Sequence, residues 1–209
     1  MNQADLALNL FRGALDLGLE VEPGVVDSLL LLSRELHKWN RVHNLTGHKT
    51  ERAIIADLIL DGLVLAPWVE GRSLLDIGSG AGFPGLVLAL ARPKVSVTLL
   101  ESRGKKVSFQ EQAVRVLDLG ERVRPVQGRA GEGALGGERF DTVVLRAVAG
   151  LGESLELALP YVEPGGRVLL PRGARDLELA RELGCRVLRE YRLPGGGGDR
   201  LVLVFHVKQ

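Results

Sequence analysis

The sequence predicts an α/β fold with a mostly parallel sheet, and three observations carry that expectation. From Ser73 onward, short apolar runs alternate with helical segments; a glycine-rich loop, Gly78–Gly85, follows the first run; and the last two runs are separated only by Pro194 and four glycines, with no helix between them. Alternation of this kind implies parallel strands joined by crossover helices, hence a doubly wound sheet. A run–glycine–run ending implies an antiparallel hairpin, because glycines tolerate the turn dihedrals.

The first third of the chain reads as helices. "DLALNLFRGALDLG" (Asp5–Gly18) is the first. Pro23 suits a first-turn position, and Val25, Leu29, Leu32 and Leu36 recur on one helical face that should end near Trp39–Asn40. A third helix spans Thr50–Ala66 and stops at Pro67. The strand candidates are Ser73–Ile77, Val95–Leu100, Arg122–Gln127, Asp141–Arg146 and Arg167–Pro171, followed by the hairpin runs Cys185–Leu193 and Asp199–Val207. The expectation is therefore an N-terminal helical extension, 1–66, packed on a domain, 67–209, whose seven-stranded, mostly parallel sheet is closed by an antiparallel C-terminal hairpin. That layout is the Rossmann-like fold of S-adenosylmethionine (SAM)-dependent methyltransferases.

Composition bounds the function. The chain is 45% hydrophobic and 25% charged, as in ordinary globular proteins, and 27 Lys and Arg against 26 Asp and Glu leave a net charge of +1. No global field draws it to nucleic acid, so RNA binding would need a local patch. The lone cysteine, Cys185, excludes an intramolecular disulfide or a Cys-rich zinc cluster. His37, His43, His48 and His206 lack metal-ligand spacing, so no metal site is expected. No secretory signal or membrane-length apolar run, roughly 18 residues, is visible. A cytoplasmic location, no membrane association and no obligate protein partner are expected.

The loop allows two cofactors. Gly80, Gly82 and Gly85 spell the G-x-G-x-x-G dinucleotide pattern, while Asp76, Gly78, Gly80 and Gly82 spell D-x-G-x-G-x-G, the pattern of enzymes that use SAM. Glu101, nineteen residues after Gly82, can accept hydrogen bonds from ribose hydroxyls in either case. Three features favour SAM. Asp76 sits where a pyrophosphate would be repelled and a cationic methionine moiety would not, no second domain remains to carry a dehydrogenase substrate, and the hairpin closes the sheet. The alternatives are an NAD-binding regulatory module without catalysis, or a methyltransferase for a small molecule or protein.

Several blocks then resemble the bacterial glucose-inhibited division protein B family, methyltransferases that modify ring nitrogen 7 of a guanine in 16S ribosomal RNA. They are "HKWNRVHNLTG" (His37–Gly47), "DIGSGAGFPG" (Asp76–Gly85), Arg92–Pro93, Leu99–Phe109, Val126–Ala130, Leu145–Ala149 and Gly198–Val202, in family order over nearly the whole chain. The block from Trp39 to Thr46 is the most specific. The resemblance implies that SAM is held by Asp76, Gly78, Gly80, Gly82, Phe83, Glu101, Ala130, Gly131 and Arg146. It implies that Arg146 positions cofactor or target without acid–base chemistry, and that Asn44, Thr46, Arg172 and Arg200 lie on the RNA side. The partner would be ribosomal RNA or the assembling small subunit.

For some of these residues a structural role competes: Arg146 could pair with Asp76 or another carboxylate, Trp39 could belong to the core, and Lys105 and Lys106 could form a solvated helix turn. The chain departs from the family pattern at Leu58 and Gly62, where His and Ser are usual, at Arg172 for Lys, at Leu201 for His, and at Gly131 for an acid. These departures spare the cofactor loop and fall partly on the target side. No catalytic base is needed, because ring nitrogen 7 carries a free lone pair and requires only in-line placement.

Overall fold

A computed structural model describes residues 2–194, 196 and 198–208. Its centre is one seven-stranded sheet in the order β3-β2-β1-β4-β5-β7-β6. The strands are β1 (Ser73–Ile77), β2 (Ser96–Glu101), β3 (Val123–Gln127), β4 (Phe140–Leu145), β5 (Val162–Gly173), β6 (Arg186–Tyr191) and β7 (Arg200–His206). The pairs from β3 to β5 are parallel, and β7 runs antiparallel to both β5 and β6. The C-terminal hairpin therefore forms as expected, but its second strand is inserted between β5 and β6. Within its turn, Gly195 and Gly197 lie outside the described residues.

The N-terminal third forms α1 (Gln3–Asp16) and α2 (Pro23–His43), then α3 (Glu51–Ile54), a π-helical turn (Ile55–Ile59) and α4 (Leu60–Leu65). Asn2 opens α1 with a capping box, and Thr50 caps α3 through the Ala53 N–H. α2 runs three residues past the expected stop at Asn40, ending where Asn44 turns left-handed at φ 47°. β5 also exceeds the expected Arg167–Pro171. The "PGG" at Pro164–Gly166 is absorbed by a register shift opposite Phe140/Thr142, with Gly165 at φ 83°.

Alternating strand residues divide the interior into two layers. Leu74, Val97, Leu99, Val144 and Val202 pack against α1, α2, α4, α5 (Gly85–Ala91) and α6 (Gly104–Val116) on one face. Leu75, Ile77, Leu100, Val143 and Leu203 face α7 (Leu151–Ala158) and α8 (Leu177–Glu182) on the other. Leu10, Leu29, Ile54 and Ile59, all at 0% exposure, are part of the first layer, so the N-terminal helices share the sheet's core. Trp39 packs edge-on against Phe109, with centroids 5.7 Å apart, and joins that layer. Among the described residues no helix is long and apolar enough to cross a membrane, and no group of three or more His, Cys, Asp or Glu could hold a metal ion.

Candidate functional site

The strand order reverses between β1 and β4, and in open α/β sheets the crevice beyond the carboxyl ends of the strands at such a point is where ligands bind. Three segments meet there: the loop after β1, the last residue of β2, and the turn after β4. In the loop, Gly78, Gly80 and Gly82 have φ of 65°, 61° and 83°, a region that side chains rarely occupy. Gln110, fully buried, donates to the Ser79 hydroxyl (2.8 Å) and the Gly80 carbonyl (2.7 Å) and pins the loop to α6. Glu101 pins it from β2. Its Oε2 accepts from the Gly80 N–H (2.9 Å) and lies 3.8 Å from Lys106 Nζ, while Oε1 accepts from the Arg103 N–H (2.9 Å). Lys106 is thus an ion-pair partner of the site rather than part of a solvated turn, and Lys105 donates to the His43 carbonyl (3.2 Å).

A cavity of ≈ 270 Å³ opens beside this frame. Gly78, Glu101 and Ala130 line it with the apolar Ile77, Leu100, Leu157 and Val148. An apolar slot with one carboxylate at its edge suits a flat, hydroxylated group such as a nucleoside. Gly131 lies just beyond, donating its N–H to the Tyr161 hydroxyl (2.7 Å). Asp76 and Phe83 are not in the wall. Phe83 is 3% exposed in the core, and Asp76 lies beneath the loop, its Oδ2 accepting the Gly85 N–H at 2.7 Å. The other oxygen, Oδ1, is buried without a partner. A Cβ on Gly85 would come within 2.8 Å of the Asp76 carboxylate, so only glycine lets α5 start so close.

Burial pushes the Asp76 carboxyl up to about 7, against the opposing pull of the Gly85 N–H and the Arg146 charge. Its folded value lies above the ordinary 3.8, so the folded state binds more protons than the unfolded one between about pH 4 and 7. The contribution of this group to stability is therefore largest at the acid end of that window and falls as pH rises through it, by roughly 4 kcal/mol in all. Asp76→Asn should lack this dependence, so its unfolding free energy relative to the unaltered protein should climb from pH 4 to 8. Urea titrations giving parallel curves for the two proteins would refute it.

A second, larger cleft of ≈ 550 Å³ lies across the turn after β4, lined by Asp61, Arg146, Arg172, Arg175, Tyr191 and Arg200 among others. Val148 borders both spaces. Asp61, 1% exposed, is the hub. Oδ1 accepts from the Tyr191 hydroxyl (2.7 Å) and Arg200 Nη1 (2.9 Å), and Oδ2 lies 3.5 Å from Arg146 Nη1. Burial and the adjacent Asp61 hold the Tyr191 phenol far above its usual range, so it serves as a donor. Arg146 accordingly pairs with Asp61 and not with Asp76, which it reaches only through its field. Sequence reasoning had passed over Asp61 and Tyr191 as site residues. The signals for Asp61 were an acid inside the otherwise apolar "LILDGLVL" and its match to the acid of the family block in which Leu58 and Gly62 replace His and Ser.

The most specific sequence block is folded by a residue that was also missed. Asn40, 4% exposed, donates to the His48 carbonyl (2.7 Å) and accepts from the Thr46 N–H (2.8 Å), closing the turn after α2. The Thr46 hydroxyl meets His48 Nδ1 at 2.6 Å, and His48 Nε2 lies 3.5 Å from Asp57. Burial lowers the His48 pKa, with Asp57 opposing and Arg146 adding to the shift, so this turn feels the charge at the cleft. Asn44 is exposed and contacts Lys49 (3.4 Å). Asn44 and Thr46 line neither cavity, whereas Arg146, Arg172 and Arg200 share the larger one.

The sequence pattern of the GidB family, rRNA small subunit methyltransferase G, matches residues 26–189. The protein named "Ribosomal RNA small subunit methyltransferase G" from Chromohalobacter salexigens is 41% identical over 198 residues, covering 93% of this chain and 94% of its own. Its namesake from Myxococcus xanthus is 41% identical, covering 98% and 99%. Among solved structures, Pyrococcus horikoshii TYW2 in complex with MeSAdo superposes with a TM-score of 0.57 at 15% identity, over 73% of this chain and 63% of that one. A SAM-dependent methyltransferase from Thiobacillus denitrificans in complex with S-adenosyl-L-homocysteine gives 0.53 at 18%, over 76% and 72%. These two likenesses concern the fold.

Proposed function

Since the chain belongs to the rRNA small subunit methyltransferase G family, we propose that it transfers a methyl group from SAM to ring nitrogen 7 of a guanine in small-subunit (16S) ribosomal RNA. The observation that carries this reading is the pair of spaces at the sheet's switch point, one nucleoside-sized with a carboxylate at its edge, the other rich in arginine, separated by the single turn that bears Arg146 and Val148.

The residues present fit SAM. Gly78, Ala130 and the ring of aliphatic side chains would receive the adenine, and Glu101 the ribose hydroxyls, since a carboxylate oxygen that already holds one N–H can accept another. Asp76, Gly80, Gly82 and Phe83 would shape the loop from within, and Gly131 the cavity's outer edge. SAM supplies an electrophilic methyl group on a sulfonium. The chain's own part is placement: Arg146, held by Asp61, would act from the wall of the larger cleft, and no side chain has to remove a proton from the acceptor nitrogen. Arg200 would meet the RNA from the wall of the larger cleft, and Asn44 and Thr46, which line neither cavity, would meet it outside that cleft. In this reading residues 1–66 are a helical extension of the catalytic domain 67–209, and the enzyme meets its ribosomal RNA or assembling subunit in the cytoplasm.

Methylation at ring nitrogen 7 makes the guanosine cationic and its glycosidic bond labile. RNA treated with enzyme and SAM should therefore be cut at one guanine after borohydride and aniline. Bare 16S RNA, small-subunit RNA with bound proteins and an unrelated RNA should be compared, because that nitrogen faces the narrow major groove of A-form RNA and the target loop must be accessible. A methylated guanine that resists cleavage would exclude ring nitrogen 7, and transfer to none of the RNAs would point to another substrate.

A further inference from the structure

We propose that Arg172 is a positioning residue that fixes the 146–150 turn between the two cavities, and that it does not contact RNA phosphate. Its guanidinium faces inward. Nη1 donates to the Ala149 carbonyl at 2.8 Å, Nη2 donates to the Ser154 hydroxyl, and Nε is buried. Ser154 itself is fully buried at the start of α7, where its hydroxyl also approaches the Ala149 carbonyl (3.4 Å). One arginine at the end of β5 thus ties the turn to the helix that follows it.

The turn needs such a tie. Ala147 sits at φ 53°, a left-handed conformation that costs an L-residue on the order of 1 kcal/mol and persists only where the surroundings fix it. Three contacts do so: Arg146 to Asp61 on one side, Ala149 to Arg172 on the other, and Val148 between them against Gly78. Releasing Ala149 frees Val148, the wall common to both spaces, and with it the alignment of whatever they hold. Arg175 offers the contrast: its side chain is 92% exposed, with only a 3.9 Å approach to Asp176, and is accessible to a phosphate.

Rigid forks and point charges separate the roles, because lysine keeps the charge but lacks the planar fork that presents two separate nitrogens to Ala149 and Ser154. Arg172→Lys and Ser154→Ala should lower kcat for RNA methylation, the former about tenfold or more, with the RNA KM and the salt dependence of RNA binding unchanged. Arg175→Ala should instead weaken RNA binding and flatten its log–log salt slope by about 0.7–0.9, the loss of one phosphate contact. The inference rests on the methyltransferase reading, so hydrogen exchange of peptides covering 146–154 supplies a measurement independent of it. Exchange should be faster in Arg172→Lys and Ser154→Ala than in the unaltered chain, and SAM affinity measured by calorimetry should fall in both. Unchanged exchange, or a shallower salt slope for Arg172→Lys or Arg172→Ala with kcat intact, would overturn the proposal. Failure of the unaltered chain to methylate any RNA, with exchange faster in the variants, would overturn only the reading of function.

Discussion

Replacing Asp61 by alanine is expected to cost about 3–5 kcal/mol of folding stability and, in whatever folds, to reduce methyl transfer by roughly 100-fold or more. The reasoning starts from burial. Asp61 is 1% exposed and is the common acceptor for Tyr191 and Arg200, with Arg146 3.5 Å away, so truncation strands a buried phenol and two guanidinium groups whose shared counter-charge is gone. The π-helical turn Ile55–Ile59 immediately precedes α4, whose first turn carries Asp61, and the same helical stretch presents Asp57 to His48. The loss should therefore be felt at Arg146, in the turn after β4, and at Arg200 on β7 together. Asp61→Asn keeps the shape and one acceptor oxygen, so it should retain most of the stability while still lowering the rate, because Arg146 loses the charge that orients it. Urea denaturation followed by single-turnover assays on the folded variants would decide. An alanine variant within about 1 kcal/mol of the parent and with an unchanged rate would remove Asp61 from the argument.

Why the sequence showed some of this and not the rest follows from the range of each interaction. β1 and the glycine loop were legible because their signals are local: an apolar run and residues chosen for positive φ lie within a dozen positions. Glu101 is legible from its position at the end of the second strand and Ala130 only from the family resemblance, and the structure puts both with Gly78 around one cavity. What escaped was set by distant pairing. Asp61 and Tyr191 are 130 residues apart, and nothing in either stretch names the other. Arg172 looks like a basic residue on a strand end until Ala149 and Ser154 are brought under it. Asp76 shows the converse limit: its place in the motif is plain, but that its carboxylate turns under α5 to meet Gly85, away from the cavity, depends on how closely helix and strand approach. The insertion of β7 between β5 and β6 is likewise a choice of sheet edge, which a hairpin pattern leaves open.

Glu101→Ala is expected to weaken SAM about 100-fold. Two losses add in this estimate. The ribose acceptor disappears, and the Gly80 N–H and Arg103 N–H lose the oxygens that hold the loop and the start of α6 in register, while Lys106 loses its partner. Hydrogen bonds to a charged group are worth about 1.5–3 kcal/mol each, and tenfold in affinity is 1.4 kcal/mol, so a net loss near 3 kcal/mol is reasonable once the loop has partly relaxed. Glu101→Gln should fall between, at roughly tenfold, since its carbonyl oxygen can still accept from Gly80 while its amide cannot replace the second oxygen. Calorimetry with S-adenosylhomocysteine separates the two ways a carboxylate could act, because that molecule keeps the ribose and lacks the sulfonium charge. Equal losses for both ligands would assign Glu101 to the ribose, as the cavity geometry indicates, and a loss confined to SAM would assign it to the charge. Unchanged dissociation constants for both ligands would take Glu101 out of the cofactor site and leave it only as the brace of the glycine loop.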